Sequence, residues 1–147
     1  MPTATRGPAL ELFWRMHKWI LRASGGRLFA KIGKLPVLLL YTKGRKSGEP
    51  RMNALSYVPH GEAYALVASN AGADFHPGWW LNLREMPVAE IQIRGQKMRV
   101  KWREAKGKEA EEIYARFVEA EEGYEEYRKR TKREMPVVVL EPIKEGQ

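Results

Sequence analysis

Leu35-Pro36-Val37-Leu38-Leu39-Leu40-Tyr41, followed at once by Thr42-Lys43-Gly44-Arg45-Lys46-Ser47-Gly48-Glu49-Pro50-Arg51, is the stretch on which the fold turns. Val37–Thr42 is a short apolar run and reads as a strand buried on both faces. The next ten residues carry four cations and two glycines. Glycines let backbone N–H groups turn toward an anion, and Arg and Lys supply charge-assisted hydrogen bonds. A solvated hairpin turn with ordinary surface lysines accounts for the same decapeptide. Downstream, Arg51–Pro59 reads as a second strand, with Gly44–Pro50 as the connection. A Walker loop or a dinucleotide fingerprint needs a helix after its glycines, so both are excluded here.

Working outward, His60-Gly61-Glu62 is a turn and Ala63–Asn70 a third strand. Three successive hairpin-linked strands imply an antiparallel meander rather than a doubly wound sheet. Pro77 suits the first turn of a short helix through Gly78-Trp79-Trp80-Leu81-Asn82-Leu83, which Pro87 ends. Val88–Arg94 and Gln96–Glu104 alternate around Gly95 as another hairpin. After Gly107, Ala110, Ile113, Phe117 and Ala120 form one helical stripe, Gly123 stops or kinks it, and Tyr124 and Tyr127 follow on a second helical segment. Pro136–Leu140 is a closing strand. Upstream, Leu10, Phe13, Trp14, His17, Ile20 and Leu21 follow helical spacing, and Ser24-Gly25-Gly26 stops that helix. The expectation is an α+β fold: six mainly antiparallel strands in a small barrel, with an N-terminal helix and peripheral helices at its mouth. It is one structural domain, with a tail and amphipathic helix over 1–34 and the barrel over 35–147.

Composition narrows the chemistry. The 147 residues are 44% hydrophobic and 30% charged, a globular balance with enough chain for a real core. Absence of cysteine removes disulfides, thiolate metal sites and cysteine nucleophiles, and fits a cytoplasmic protein. His17, His60 and His76 lie far apart in sequence without metal-ligand spacing, so no metal is expected. A net charge of +8 favours an acidic partner: a polyanionic small molecule, an anionic membrane surface or nucleic acid. The basic residues are dispersed and no nucleic-acid motif is present, so that last class ranks lowest. Five Trp and six Tyr could stack a planar anionic ligand, although any single ring is better explained as core. No run reaches the roughly 18 apolar residues of a membrane span. The basic N-terminal helix docks on the domain by default, with a second subunit or a membrane surface as the alternatives.

Read together and in order, LLLYTKGRKSGEPR, VASNAGADFHPGWWLNL and GYEEYRKRTKREMPVVVLEP resemble the deazaflavin (F420)-dependent nitroreductase family over about Pro36 to Pro142. That family's fold is a split β-barrel of the flavin-reductase type. The resemblance implies F420 as cofactor: a flavin-like tricycle with a ribityl chain, a phosphodiester and an acidic tail. It implies a phosphate site at Arg45, Lys46, Ser47, Gly48, Glu49, Pro50 and Arg51. It implies a ring-contact strip at Val67, Ala68, Ser69, Asn70, Ala71 and Gly72, with Trp79 near the ring. Ser69, Tyr124 and Tyr127 are the implied catalytic group, Ser69 at the reactive edge and the tyrosines on the substrate side. Bland roles compete: Ser69 as a turn cap, and the tyrosines as helical core. Trp80 and Asn82 read as structural and His76 as a turn residue. Three positions leave the family pattern. Ser56 and Glu121 stand where the best-known nitroreductase has tyrosines of the substrate wall, and Ala54 replaces a common proline. Cofactor binding therefore transfers better than substrate range.

The function implied is an F420H2-dependent oxidoreductase that passes a hydride to an electron-poor small molecule: a quinone, an activated alkene or a nitro compound. The alternatives are an FMN-dependent reductase of the same fold, and a non-catalytic binder of a flavin-like or lipid-like ligand. The chain is expected to act as a monomer or homodimer.

Overall fold

The computed structural model describes residues 31–32 and 35–144. The expected N-terminal helix, and any membrane contact through it, lie outside the described residues. Among the described residues there are eight strands: β1 (Lys31–Ile32), β2 (Leu35–Lys43), β3 (Pro50–Ser56), β4 (Val58–His60), β5 (Ala63–Val67), β6 (Val88–Ile93), β7 (Gln96–Ala105) and β8 (Val137–Pro142). Three α-helices accompany them: α1 (Gly78–Leu83), α2 (Gly107–Ala120) and α3 (Gly123–Arg130). All strand pairs are antiparallel.

Six strands become eight for two reasons. β1 is a two-residue addition that pairs with β2. The expected second strand is divided at Tyr57: β3 pairs with β2, whereas β4 pairs with β5. The simple meander of three strands is thereby corrected, because consecutive pieces of one strand serve two different neighbours. Pairing runs β3-β2-β6-β7-β8-β5-β4, and the chain joins β3 to β4 through Tyr57. The sheet thus curls back on itself as a split barrel. Tyr57 is buried at the corner, and its N–H donates to the Pro36 carbonyl at 3.0 Å.

The period of two along each strand separates two cores. Leu38 and Leu40, Leu66, Ile91, Val100, and Val138 and Leu140 point inward with Trp80, which is 1% exposed. Trp80 meets Trp102 edge-on at 5.4 Å, and the Trp102 indole N–H donates to the Met86 carbonyl at 2.6 Å. The alternate residues Ala65, Val67, Val137 and Val139 point outward and are covered by Ile113, Tyr114 and Phe117 of α2. That pattern explains why β8 reads as an uninterrupted apolar run: it is buried on both faces.

Three turns show local chemistry setting boundaries. Arg94 and Gly95 both have positive φ (50° and 87°), the tight two-residue connection that matches strand twist between β6 and β7. β5 stops at Val67, short of the expected Asn70, because Asn70 and Ala71 take φ of 47° and 53°. Left-handed backbone cannot continue a strand. A 3-10 turn, Asn70–Gly72, follows instead, and α3 packs on it.

Gly72 (φ +80°) is where that packing is tightest: a Cβ there would lie 2.9 Å from both the Cα and the carbonyl oxygen of Tyr127. Gly48 has a similar φ of +73° but open space around it. Gly72→Ala should therefore lower unfolding free energy by about 1–3 kcal/mol through overpacking on top of the backbone cost. Gly48→Ala should incur the backbone cost alone, so urea denaturation should rank Gly72→Ala as clearly the more damaging.

Candidate functional site

A cleft of about 1090 Å³ runs along β3. Its walls are the turn after β2, the Val67–Ala71 loop, the N-terminus of α1 and the tyrosines of α3. Of the residues expected at a site, Arg45, Lys46, Ser47, Arg51, Val67, Ser69, Asn70, Ala71, Trp79, Tyr124 and Tyr127 all line it. They come from four separate stretches of chain, joined only by the fold.

At the basic end, Ser47 organises the turn. Its Oγ accepts from the Glu49 N–H at 3.1 Å and stands 3.5 Å from Arg51 Nη2. The turn closes by Gly44 N–H donating to the Glu49 carbonyl and Gly48 N–H to the Gly44 carbonyl, each at 2.8 Å. Gly48, Glu49 and Pro50 do not line the cleft; they shape the turn and start β3 opposite Lys43. Arg45 is tied back to α1. Asn82 Oδ1 accepts from the Arg45 backbone N–H at 3.1 Å and from its Nη1 at 2.9 Å. Asn82 is buried, so this junction is fixed, while Lys46 and Arg51 are exposed. Asn82, expected as structural, moors the Arg45 side chain and also lines the cleft. A buried amide in the apolar α1 was the one signal available for it.

Along the middle, the backbone is unusual. Ser69 is right-handed, whereas Asn70, Ala71 and Gly72 all have positive φ. Successive N–H groups in such a right-to-left sequence converge and suit an electron-rich ligand atom. Ser69 occupies the cap position of the 3-10 turn but makes no side-chain cap bond, which leaves its hydroxyl available. Ala68 and Gly72 stand behind the cleft rather than in its wall: Ala68 is fully buried, and Gly72 faces Tyr127. Arg133, not expected at the site, holds the loop from behind. Its guanidinium donates to the carbonyls of Ala73 (3.1 Å), Ala68 (3.2 Å) and Ser69 (2.9 Å) and meets His76 Nδ1 at 3.0 Å. His76 is thus the turn residue expected. Burial, then Arg133 and Arg84, push its pKa down, which favours the neutral ring that can accept from Arg133. In the sequence, Arg133 ends the run Arg128–Arg133, which reads as solvated surface.

At the other end stands an aromatic cluster. Tyr124 packs edge-on against Phe117 (4.9 Å) and Tyr127 (5.2 Å). The Tyr114 hydroxyl donates to the Tyr124 carbonyl, and Arg128 stacks over the Tyr114 ring at 3.8 Å. Burial, together with Tyr127, pushes the Tyr124 phenol up to about 12; a hydrogen bond with Ser56 offsets part of that. A phenol in that state is a neutral O–H donor at physiological pH. Trp79, 6% exposed, closes the floor beside Trp80. Among the described residues no group of His, Cys, Asp and Glu could hold a metal ion.

The model of the F420H(2)-dependent quinone reductase family matches residues 13–142. The chain belongs to that family. An F420H(2)-dependent quinone reductase of Mycobacterium tuberculosis is 36% identical over 132 residues, which is 86% of this chain and 87% of the relative. Among solved structures, an F420-H2 dependent reductase is 36% identical with a TM-score of 0.65, covering 72% of this chain and 94% of its own. A structure described as a domain-swapped dimer is 29% identical with a TM-score of 0.66, covering 92% and 100%. The heme storage protein HutZ of Vibrio cholerae, at 16% identity and a TM-score of 0.59 over 80% of this chain and 87% of its own, shares the fold.

F420 fits this family's cleft here on the structure's own terms. Arg45, Lys46 and Arg51 stand at one end, the small residues Val67, Ser69 and Ala71 with Asn70 form the middle, and Tyr124 and Tyr127 close the other. The raised phenol gives a direct check. Difference absorbance near the phenolate band should show one tyrosine that ionises only at about pH 12 in the native protein and is lost in Tyr124→Phe. The unfolded chain loses that proton near pH 10. Stability from the neutral phenol should therefore be complete below pH 10 and disappear as pH rises through 12, with Tyr124→Phe less alkali-sensitive.

Proposed function

We propose that this protein is an F420H2-dependent reductase whose acceptor is a quinone. The observation that carries the reading is a cleft that is polar and cationic at one end and aromatic at the other, in a chain of this family. When bound, reduced F420 would supply a hydride that, with one proton, would turn a quinone into the hydroquinone and leave oxidised F420.

The chain's own residues do the rest. Lys46 and Arg51 bind phosphate oxygens, with Arg45 held at a fixed angle by Asn82 and Ser47 holding the turn shape. Val67, Ser69, Asn70 and Ala71 offer small side chains and free amides, so a flat ring can lie against backbone, and Trp79 limits its far side. Tyr124 and Tyr127 cover the acceptor side. The Tyr124 O–H stays protonated and can donate to a quinone oxygen as negative charge builds on it. Ser56 and Glu121, both small or flexible beside the family tyrosines, widen the acceptor wall.

Residues 35–147 form the cofactor-binding domain, preceded by the 1–34 segment. The cysteine-free composition favours a cytoplasmic setting. The 29%-identical domain-swapped dimer favours a homodimer over a monomer. An FMN reductase would be yellow as purified and indifferent to F420.

Parallel fluorescence titrations with F420 and FMN separate the two. F420 should bind at least ~10-fold more tightly, since an anion-grip difference of about 1.4 kcal/mol already gives that ratio. Lys46→Ala with Arg51→Ala should raise the F420 dissociation constant about 10-fold or more and flatten its salt dependence. Equal affinity for FMN, or an unchanged constant in the double variant, would refute the assignment.

A further inference from the structure

We infer that Arg133 is a positioning residue for cofactor binding: it holds the Asn70–Gly72 backbone in a left-handed form from outside the cleft. The inference rests on the functional reading above. Three consecutive residues with positive φ, two of them not glycine, are an unfavourable backbone. Such strain persists only where surrounding bonds over-determine it. Arg133 supplies those bonds on both sides of the strained segment, to the Ala68 and Ser69 carbonyls before it and to the Ala73 carbonyl after it. Arg130 adds a weaker bond to the Ala71 carbonyl at 3.4 Å.

The consequence lies in direction. Carbonyls of Ala68, Ser69, Ala71 and Ala73 are drawn outward onto two arginines. The loop's own ring closes through Gly72 N–H to the Ser69 carbonyl (2.9 Å) and Ala73 N–H to the Asn70 carbonyl (3.0 Å). Among the described residues, the N–H groups of Asn70 and Ala71 have no acceptor, and both residues line the cleft. Arg133 itself does not line it; Arg133 lines a separate groove, as do Tyr114 and Met135. Donors are thus presented to a ligand by a cation that never touches it. A planar fork reaching three carbonyls is a task for Arg, and Lys has a single ammonium point.

The test uses the full chain with Arg133→Ala and Arg133→Lys, so that one folded variant suffices. Amide hydrogen exchange should rise at Gly72 and Ala73 in both, with β2 and β8 amides unchanged. The F420 dissociation constant should rise about 10-fold or more, as expected for a displaced binding group. Its salt dependence should keep the wild-type slope, because no cofactor ion pair is lost. Adding Ala71→Gly to Arg133→Ala should recover part of the affinity, since glycine adopts positive φ without restraint. Unchanged exchange at Gly72 and Ala73, or unchanged F420 affinity in a folded variant, would overturn the inference. A flattened salt slope would also overturn it, in favour of direct contact with the cofactor. Wild-type protein that fails to bind F420 while the variants still lose protection at Gly72 and Ala73 would overturn the functional reading and leave the backbone role standing.

Discussion

Strand β2 is bonded on both edges, to β3 and to β6, and its Leu38, Leu39 and Leu40 are each no more than 1% exposed. Burying three leucines completely contributes on the order of 5–9 kcal/mol before chain entropy is charged against it. Nothing else in the cleft could be placed without that immobile strand. The basic turn leaves its C-terminal end, β3 returns along its edge, and α1 is moored to the turn by the Asn82–Arg45 bonds. The split at Tyr57 then hands the chain to the opposite side of the barrel, where β5 delivers the Ser69 loop to the same cleft.

The two ends of the cleft use different physics. Lys46 and Arg51 sit in water, where a single ion pair contributes little, so their effect depends on several contacts to one polyanion and weakens with salt. Tyr124 is desolvated, which keeps its proton and strengthens any hydrogen bond it donates. Between them the cleft is lined by the small residues Val67, Ser69 and Ala71 and by Asn70. This division explains why the cofactor end follows the family pattern in sequence while the acceptor end departs from it at Ser56 and Glu121. An anion grip needs charge and a turn; an acceptor wall can change shape without disturbing the fold.

Much of this was readable in the chain. Alternation in 88–104, the doubled glycine and cation pattern of 43–51 and the 110–120 stripe translate directly into β6–β7, the turn between β2 and β3, and α2. What was not readable is non-local. The division of β3 from β4 is set by which neighbour each half pairs with, and Tyr57 looks like any alternating strand residue. The end of β5 depends on positive φ at Asn70 and Ala71, and Ala71 gives no local hint of it. Arg133 lies in a basic run whose members are distinguishable only by what the fold brings within reach. Five of the anticipated contact residues stand behind the wall for the same reason: contiguity in sequence does not say which side of a loop faces a ligand.

In the proposed binding mode, one cleft seats F420 with its phosphate at the basic turn and its ring along the Ser69 loop. A crystal structure of the protein soaked or co-crystallised with F420 tests it most directly. The account predicts phosphate oxygens within hydrogen-bond distance of Lys46 and Arg51, and the tricycle lying against Ser69–Ala71 with Tyr124 on its acceptor side. A ring seated away from that loop, or a phosphate bound without the turn, would contradict it.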